Sequence, residues 1–235
     1  MNTSNEYDTL SFDCYGTLID WETGIAMALR RWARVHDLSL SDAELVAAHA
    51  RHETGAQQDH PSALYPAVLG ETLRRIGNDF GVAVTDADAR EYGASVGDWP
   101  AFPDSAEALS RLADRFKLVI LSNVDRASFA RSNEKLVVEF DLIVTAQDVG
   151  SYKPDLANFE TMFDLLQTIG TDRSRLLHVA ESLYHDHEPA NRLGLPSVWI
   201  NRAHASGGAS AAPRGSFQPE IQFATMAAFA DFVLG

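Results

Sequence analysis

The stretch Thr9-Leu10-Ser11-Phe12-Asp13-Cys14-Tyr15-Gly16-Thr17-Leu18 decides how this chain is read. An apolar-rich run stops at a carboxylate and a Gly-Thr turn, which predicts a buried strand over 9–15 that carries Asp13 to the end of a sheet. Four similar runs follow, at 116–123, 142–147, 176–180 and 197–201. Near-continuous Leu, Ile, Val and Phe suit a parallel sheet covered on both faces. Helical patterns at 105–115, 126–139, 156–169 and 187–193 alternate with the strands, so the expected class is α/β, a doubly wound parallel sheet.

The interval between Tyr15 and Phe116 breaks this rhythm. Amphipathic patterns at 22–36, 42–57, 63–80 and 86–96 predict four helices. Ser41 with Glu44 three residues on is a capping-box pattern at the second of them. The expected organisation is a core of residues 1–20 and 101–235 with a helical cap, 21–100, inserted after strand 1. The segment 99–104 carries Pro100 and Pro103 and reads as a stiff return hinge. Residues 205–215, rich in Gly, Ala and Ser, read as a mobile loop.

With 33 acidic against 19 basic residues the formal net charge is −14. That balance argues against binding nucleic acid or an anionic membrane surface, both of which need clustered Lys and Arg. Cys14 is the only cysteine, so no internal disulfide can form, and a reducing compartment is the simple reading. The polar start has no signal-peptide pattern, and apolar runs such as 118–121 are too short for a bilayer. A soluble, cytoplasmic protein is expected.

Ligands of doubly wound sheets bind beyond the carboxyl ends of the strands. The polar residues placed there form one plausible set: Asp13, Tyr15 and Thr17; Ser122 and Asn123; Lys153; Glu181, Ser182 and Asp186. A carboxylate at the end of an apolar strand must be paired or catalytic, because an unpaired buried charge is costly. A lysine beside it would lower its pKa and keep it ionised. Ser122 and Asn123 can either bind a substrate carboxylate or cap the next helix. His178, His185 and His187 lack the helical spacing of a zinc protease. His178 is expected inside a strand, His185 near substrate and His187 at a helix start. Cys14 should point away from Asp13 and Tyr15 by strand alternation.

In their order, Asp13-Cys14-Tyr15-Gly16-Thr17-Leu18, Ser122-Asn123, Ser151-Tyr152-Lys153-Pro154-Asp155 and the 181–186 stretch resemble the four motifs of the haloacid dehalogenase superfamily. Superfamily phosphatases usually carry a second Asp two residues after the nucleophile. Tyr15 stands there instead, so the chain resembles the type II branch of L-2-haloacid dehalogenases. The stretches 13–22 and 180–187 are similar still more closely to L-azetidine-2-carboxylate hydrolases, which open a strained ring by breaking a C2–N bond.

The resemblance implies a Rossmann-like core, and that Asp13 attacks C2 of a small carboxylic acid to give an aspartyl ester. Lys153 balances charge, Asp186 activates the water that breaks the ester, and Ser122, Asn123 and Thr17 hold substrate or intermediate. Tyr15, Trp21, Arg51, Glu181, Ser182 and His185 would contact the substrate, with Arg51 facing the leaving group; an exposed helix arginine is the ordinary alternative. A ring amine would need a proton on leaving, from His185 or Tyr15. No metal or other cofactor is expected. Two departures bear on the branch: Glu181, and Phe159 where dehalogenases typically carry Tyr. Glu181 with Asp186 keeps open a Mg²⁺-dependent phosphatase acting on a small phosphate ester. A non-catalytic binding module is the other alternative, and a homodimer is compatible with the resemblance.

Overall fold

The computed structural model describes residues 6–202, 211 and 215–235. Its strands are β1 (Thr9–Phe12), β2 (Lys117–Ser122), β3 (Leu142–Thr145), β4 (Leu176–Ala180), β5 (Ser197–Ile200) and β6 (Gln222–Phe223). All pair in parallel, in the order β3-β2-β1-β4-β5-β6. The chain adds β2 and β3 on one side of β1, then crosses to add β4, β5 and β6 on the other. That reversal opens a crevice beyond the carboxyl ends of β1 and β4.

Alternate residues of each strand face opposite sides. Leu118 and Ile120 join Leu10 and Phe12 in one cluster, whereas Val119 and Leu121 join a second. The first is covered by α5 (Ser105–Ala113), through Leu109 and Leu112, and by the C-terminal helix Met226–Leu234, through Phe229 and Val233. The second is closed by Phe159, Met162 and Leu166 of the helix Leu156–Leu166. No helix among the described residues is long and apolar enough to cross a membrane.

Between β1 and β2 lie α1 (Trp21–Val35), α2 (Asp42–Asp59), α3 (Tyr65–Phe80) and α4 (Asp86–Ala94). Asp20 caps α1 by accepting from the Thr23 backbone N–H. The Ser41–Glu44 capping box is formed at α2, and Thr85 with Asp88 makes another at α4. The return segment is pinned to β1's exit by a bridge between Ile19 and Ala101 and by a bond from the Asp20 N–H to the Pro100 carbonyl, 2.8 Å. Trp99 is buried beside α1.

Several expected boundaries move for local reasons. β1 stops at Phe12 because the chain folds at once into a tight turn: the Leu18 and Ile19 N–H groups both donate to the Cys14 carbonyl, and Gly16 takes φ +98°. The helix expected over 126–139 is α6 (Arg126–Leu136), ended by Val137 at φ +54°. Strand β3 gives way to α7 (Ala146–Val149), and Leu156–Leu166 is α8. The helix expected over 187–193 is preceded by a π-helical turn, Leu183–His187, and runs as α9 (Glu188–Arg192). β6 and the C-terminal helix, α10, had no counterpart in the sequence reading. The loop expected over 205–215 falls almost wholly outside the described residues.

Gly24 shows how closely α1 is set against the hinge. A Cβ there would lie 2.2 Å from Trp99 Cγ. Overpacking of this kind typically costs about 1–3 kcal/mol. Gly24→Ala is therefore expected to lower the urea unfolding midpoint, and an unchanged midpoint would mean that Trp99 is loosely held.

Candidate active site

The crevice is centred on a buried ammonium. Lys153 Nζ donates to Asp13 Oδ1 at 2.9 Å, to Asp186 Oδ1 at 2.7 Å and to the Leu121 carbonyl at 2.8 Å. All three N–H bonds are satisfied, and they tie together the ends of β1 and β2 and the turn after β4. Asn123 fixes the lysine's backbone from both sides: Lys153 N–H donates to Asn123 Oδ1 (2.7 Å), and Asn123 Nδ2 donates to the Lys153 carbonyl (3.0 Å). The Lys153–Pro154 peptide is cis.

Asp13 is held on its other oxygen as well. Thr17 Oγ1 donates to Oδ2 at 2.7 Å and accepts from the Glu181 N–H at 2.9 Å. Thr17 thus positions Asp13 rather than lining the cavity. Its carbonyl accepts from the Arg202 guanidinium, which also pairs with Asp104. Gly16 is required in this turn, because a Cβ would come within 3.1 Å of Trp21 Nε1 and 3.3 Å of Glu181 Oε2 at a φ that side chains rarely adopt.

Burial raises the Asp13 carboxyl above its ordinary pKa, and Asp186 pushes the same way. Lys153 and Thr17 oppose the rise but do not reverse it, which corrects the expectation that the lysine would set a lowered value. Burial would depress Lys153 and raise Asp186, yet the contacts prevail: Lys153 is raised by Asp13 and Asp186, and Asp186 is lowered by Lys153, with His178 assisting.

His178 sits within β4 as expected, joined to Asp186 Oδ1 through Nε2 (3.0 Å) and to Ser11 Oγ through Nδ1 (2.9 Å). Asp186 Oδ2 is buried and without a partner among the described residues. Ser122 Oγ is in the same condition, so the serine has a free donor. Phe159 packs edge-on against His178, its ring centroid 5.4 Å away, and does not reach the cavity.

Asp13 and Asp186 open onto a cavity of about 70 Å³, lined also by Tyr15, Trp21, Asn123, Lys153, Glu181, Ser182 and His185. Of the residues expected to hold or contact substrate, Thr17 and Ser122 are absent from the lining, and so is Arg51. It is 62% exposed and pairs with Asp79. The cap instead contributes Glu53, Thr54 and Gln57 of α2 with Tyr65 of α3. Residues two apart on a helix point about 200° from one another, so the turn that brings Glu53 inward sends Arg51 out. His49, Glu53 and Gln57, spaced by four, mark this polar stripe in the sequence, but the loose match to Arg51 obscured it.

Tyr15 bonds Ser132 Oγ at 2.8 Å, and burial pushes its phenol pKa well up. Burial lowers His185, whose Nδ1 meets Ser182 Oγ at 3.2 Å while Nε2 is buried without a partner among the described residues. Cys14 is turned into the core, where burial raises its thiol pKa. No set of three or more His, Cys, Asp or Glu able to hold a metal ion is gathered among the described residues. Asp13 Oδ1 and Asp186 Oδ1 both accept from the Lys153 ammonium.

A family model for haloacid dehalogenase-like hydrolases matches residues 7–193. The chain belongs to this family. Among solved structures it is similar to a defluorinating L-2-haloacid dehalogenase, with TM-score 0.81 and 20% identity over 100% of this chain and 98% of that one. It is similar to the L-2-haloacid dehalogenase of Xanthobacter autotrophicus with chloropropionic acid covalently bound (TM-score 0.76, 18% identity, 97% and 99% covered). A HAD-hydrolase of Bacillus subtilis bound to magnesium also matches, with TM-score 0.78 and 18% identity over 98% and 100%. At these identities the likeness is one of fold. No curated protein matches the sequence.

His187 gives the turn a signature in pH. Nε2 donates to the Ala180 carbonyl at 2.9 Å, and burial lowers its pKa to about 4 from an ordinary 6.5. Between those values the unfolded chain takes up a proton that the folded one refuses, so stability falls as pH drops from 6.5 to 4, by up to about 3 kcal/mol. Urea unfolding should show His187→Gln with a flatter pH dependence than wild type across this window; parallel curves would contradict it.

Proposed function

We propose that this hydrolase displaces a substituent at C2 of a small 2-substituted carboxylate through an aspartyl ester on Asp13. The observation that carries the reading is the Asp13–Lys153–Asp186 arrangement at the cavity. Attack by a carboxylate oxygen divides a hard displacement into ester formation and ester hydrolysis. Asp13 is held on both oxygens, so little reorientation precedes attack. Inversion at C2 follows from attack opposite the leaving group. Asn123 and Val124 line the cavity just ahead of α6, and they would receive the substrate carboxylate, with the hydroxyl of Ser122 close by in the chain.

The second step needs a water at the ester carbonyl. The unpartnered Asp186 Oδ2 is the natural acceptor for its hydrogen. A carboxylate with a lowered pKa is a weak base, so Asp186 acts mainly by orienting the water. The leaving group is a halide or a ring nitrogen, as in L-2-haloacid dehalogenation or L-azetidine-2-carboxylate ring opening, in a cytoplasmic setting. The phosphatase alternative lacks an acid for its leaving oxygen: Tyr15 occupies that position with a raised pKa and its hydroxyl on Ser132.

Turnover of 2-chloropropanoate, azetidine-2-carboxylate and p-nitrophenyl phosphate, each with EDTA and with Mg²⁺, tests the reading. Activity on one of the two carboxylates that survives EDTA, and is abolished in a folded Asp13→Asn variant, is expected. Hydrolysis of the phosphate alone, lost on chelation and restored by Mg²⁺, would replace it.

A further inference from the structure

The cap side of the cavity holds a charge that the Asp13–Lys153–Asp186 chemistry does not use. Glu53 is 17% exposed at its side chain and faces the cavity from α2. Tyr65 donates to Oε1 at 2.5 Å, and Gln57 reaches the same oxygen at 3.4 Å. His49 Nε2 stands 3.5 Å from Oε2. Burial works to raise the Glu53 pKa, but His49, Tyr65 and the more distant His185 outweigh it and hold the group at about 2. No lysine or arginine pairs with Glu53 among the described residues. Among the described residues the lining thus sets Glu53 on the cap side opposite Asp13 and Asp186, and its one ammonium, Lys153, is committed to those two.

A halide leaving as an anion would meet this field unfavourably, and Arg51, the cation that could have met it, lies outside. A positively charged substituent is matched to it. We infer that Glu53 is a specificity-determining residue that receives a protonated ring nitrogen at C2, so that the substrates are zwitterions: strained cyclic amines bearing a carboxylate on the carbon next to nitrogen. This rests on the reading of displacement at C2. Strain is required because an unstrained ammonium is a poor leaving group.

The arrangement removes the need for an acid. The Asp13 oxygen forms its bond to C2 while the C2–N electron pair stays with nitrogen. Nitrogen, already protonated, leaves as a neutral amine on the opened chain. Water then adds to the ester carbonyl and the acyl–oxygen bond breaks. Asp13 is restored as carboxylate, the product carries a 2-hydroxyl, and the proton released goes to the amine. Neither Tyr15 nor His185 donates, in keeping with a phenol of raised and an imidazole of lowered pKa.

L-Proline and (S)-tetrahydrofuran-2-carboxylate test this by calorimetry, since they share shape and differ in ammonium against ether and neither ring is strained. A charge-assisted hydrogen bond is worth at least about tenfold in affinity. Wild type should prefer L-proline by that factor or more, and Glu53→Gln should erase the preference; Glu53→Asp, with a shortened carboxylate, serves if Glu53→Gln does not fold. Equal binding by wild type, or a preference that survives loss of the carboxylate, overturns the inference. Selective proline binding by an enzyme that turns over neither carboxylate would instead sink displacement at C2 and leave the cation site standing. Turnover of 2-chloropropanoate without a proline preference would do the reverse.

Discussion

The site depends on one buried cation. An ammonium withdrawn from water is tolerated only when its partners compensate for the lost hydration, and Lys153 has two carboxylates and a carbonyl. Those partners come from three elements that the chain brings together only because β1 lies between β2 and β4 in a parallel sheet. Removing one partner from such a pair commonly costs about 3–5 kcal/mol, because the remaining charge stays buried. The same contacts that hold the crevice together set its chemistry: they keep Lys153 charged, hold Asp186 low and aim Asp13 at the cavity.

Around this cation the charges are divided by origin. In the proposed reaction the sheet ends supply the attacking carboxylate, its counter-ion and the water-orienting Asp186. The cap supplies Glu53, Thr54, Gln57 and Tyr65, the surface that would meet the substituent at C2. Its α2 stripe turns Glu53 to the cavity and leaves Arg51 exposed on another face of the helix. Family membership fixes the hydrolase fold; in the proposed reading the cap decides the leaving group.

Most of the core was legible in the sequence because its strands are buried on both faces and so appear as uninterrupted apolar runs. Of the polar residues that the strand-end rule gathers, Asp13, Tyr15, Asn123, Lys153, Glu181, Ser182 and Asp186 line one crevice, and Thr17 and Ser122 do not. What escaped had weaker local signals. β6 is two residues long, with only one partly buried side chain, too short to show a pattern. Helix α10 is apolar almost throughout, so it has little polar face to set its period. Glu53 was missed because inward and outward positions on α2 differ by only two residues, and the phase of that helix is set by packing against α1 and α3. The role of Thr17 in holding Asp13 depends on a turn whose geometry no strand pattern describes.

The central claim is that Asp13 becomes an ester, and the fate of a solvent oxygen tests it most directly. A single turnover in ¹⁸O-water, with enzyme in excess over whichever carboxylate it converts, should yield product largely without label and place the label on the Asp13 side chain. Labelled product with an unlabelled Asp13 would mean that water attacks C2 itself, and the covalent account would be wrong.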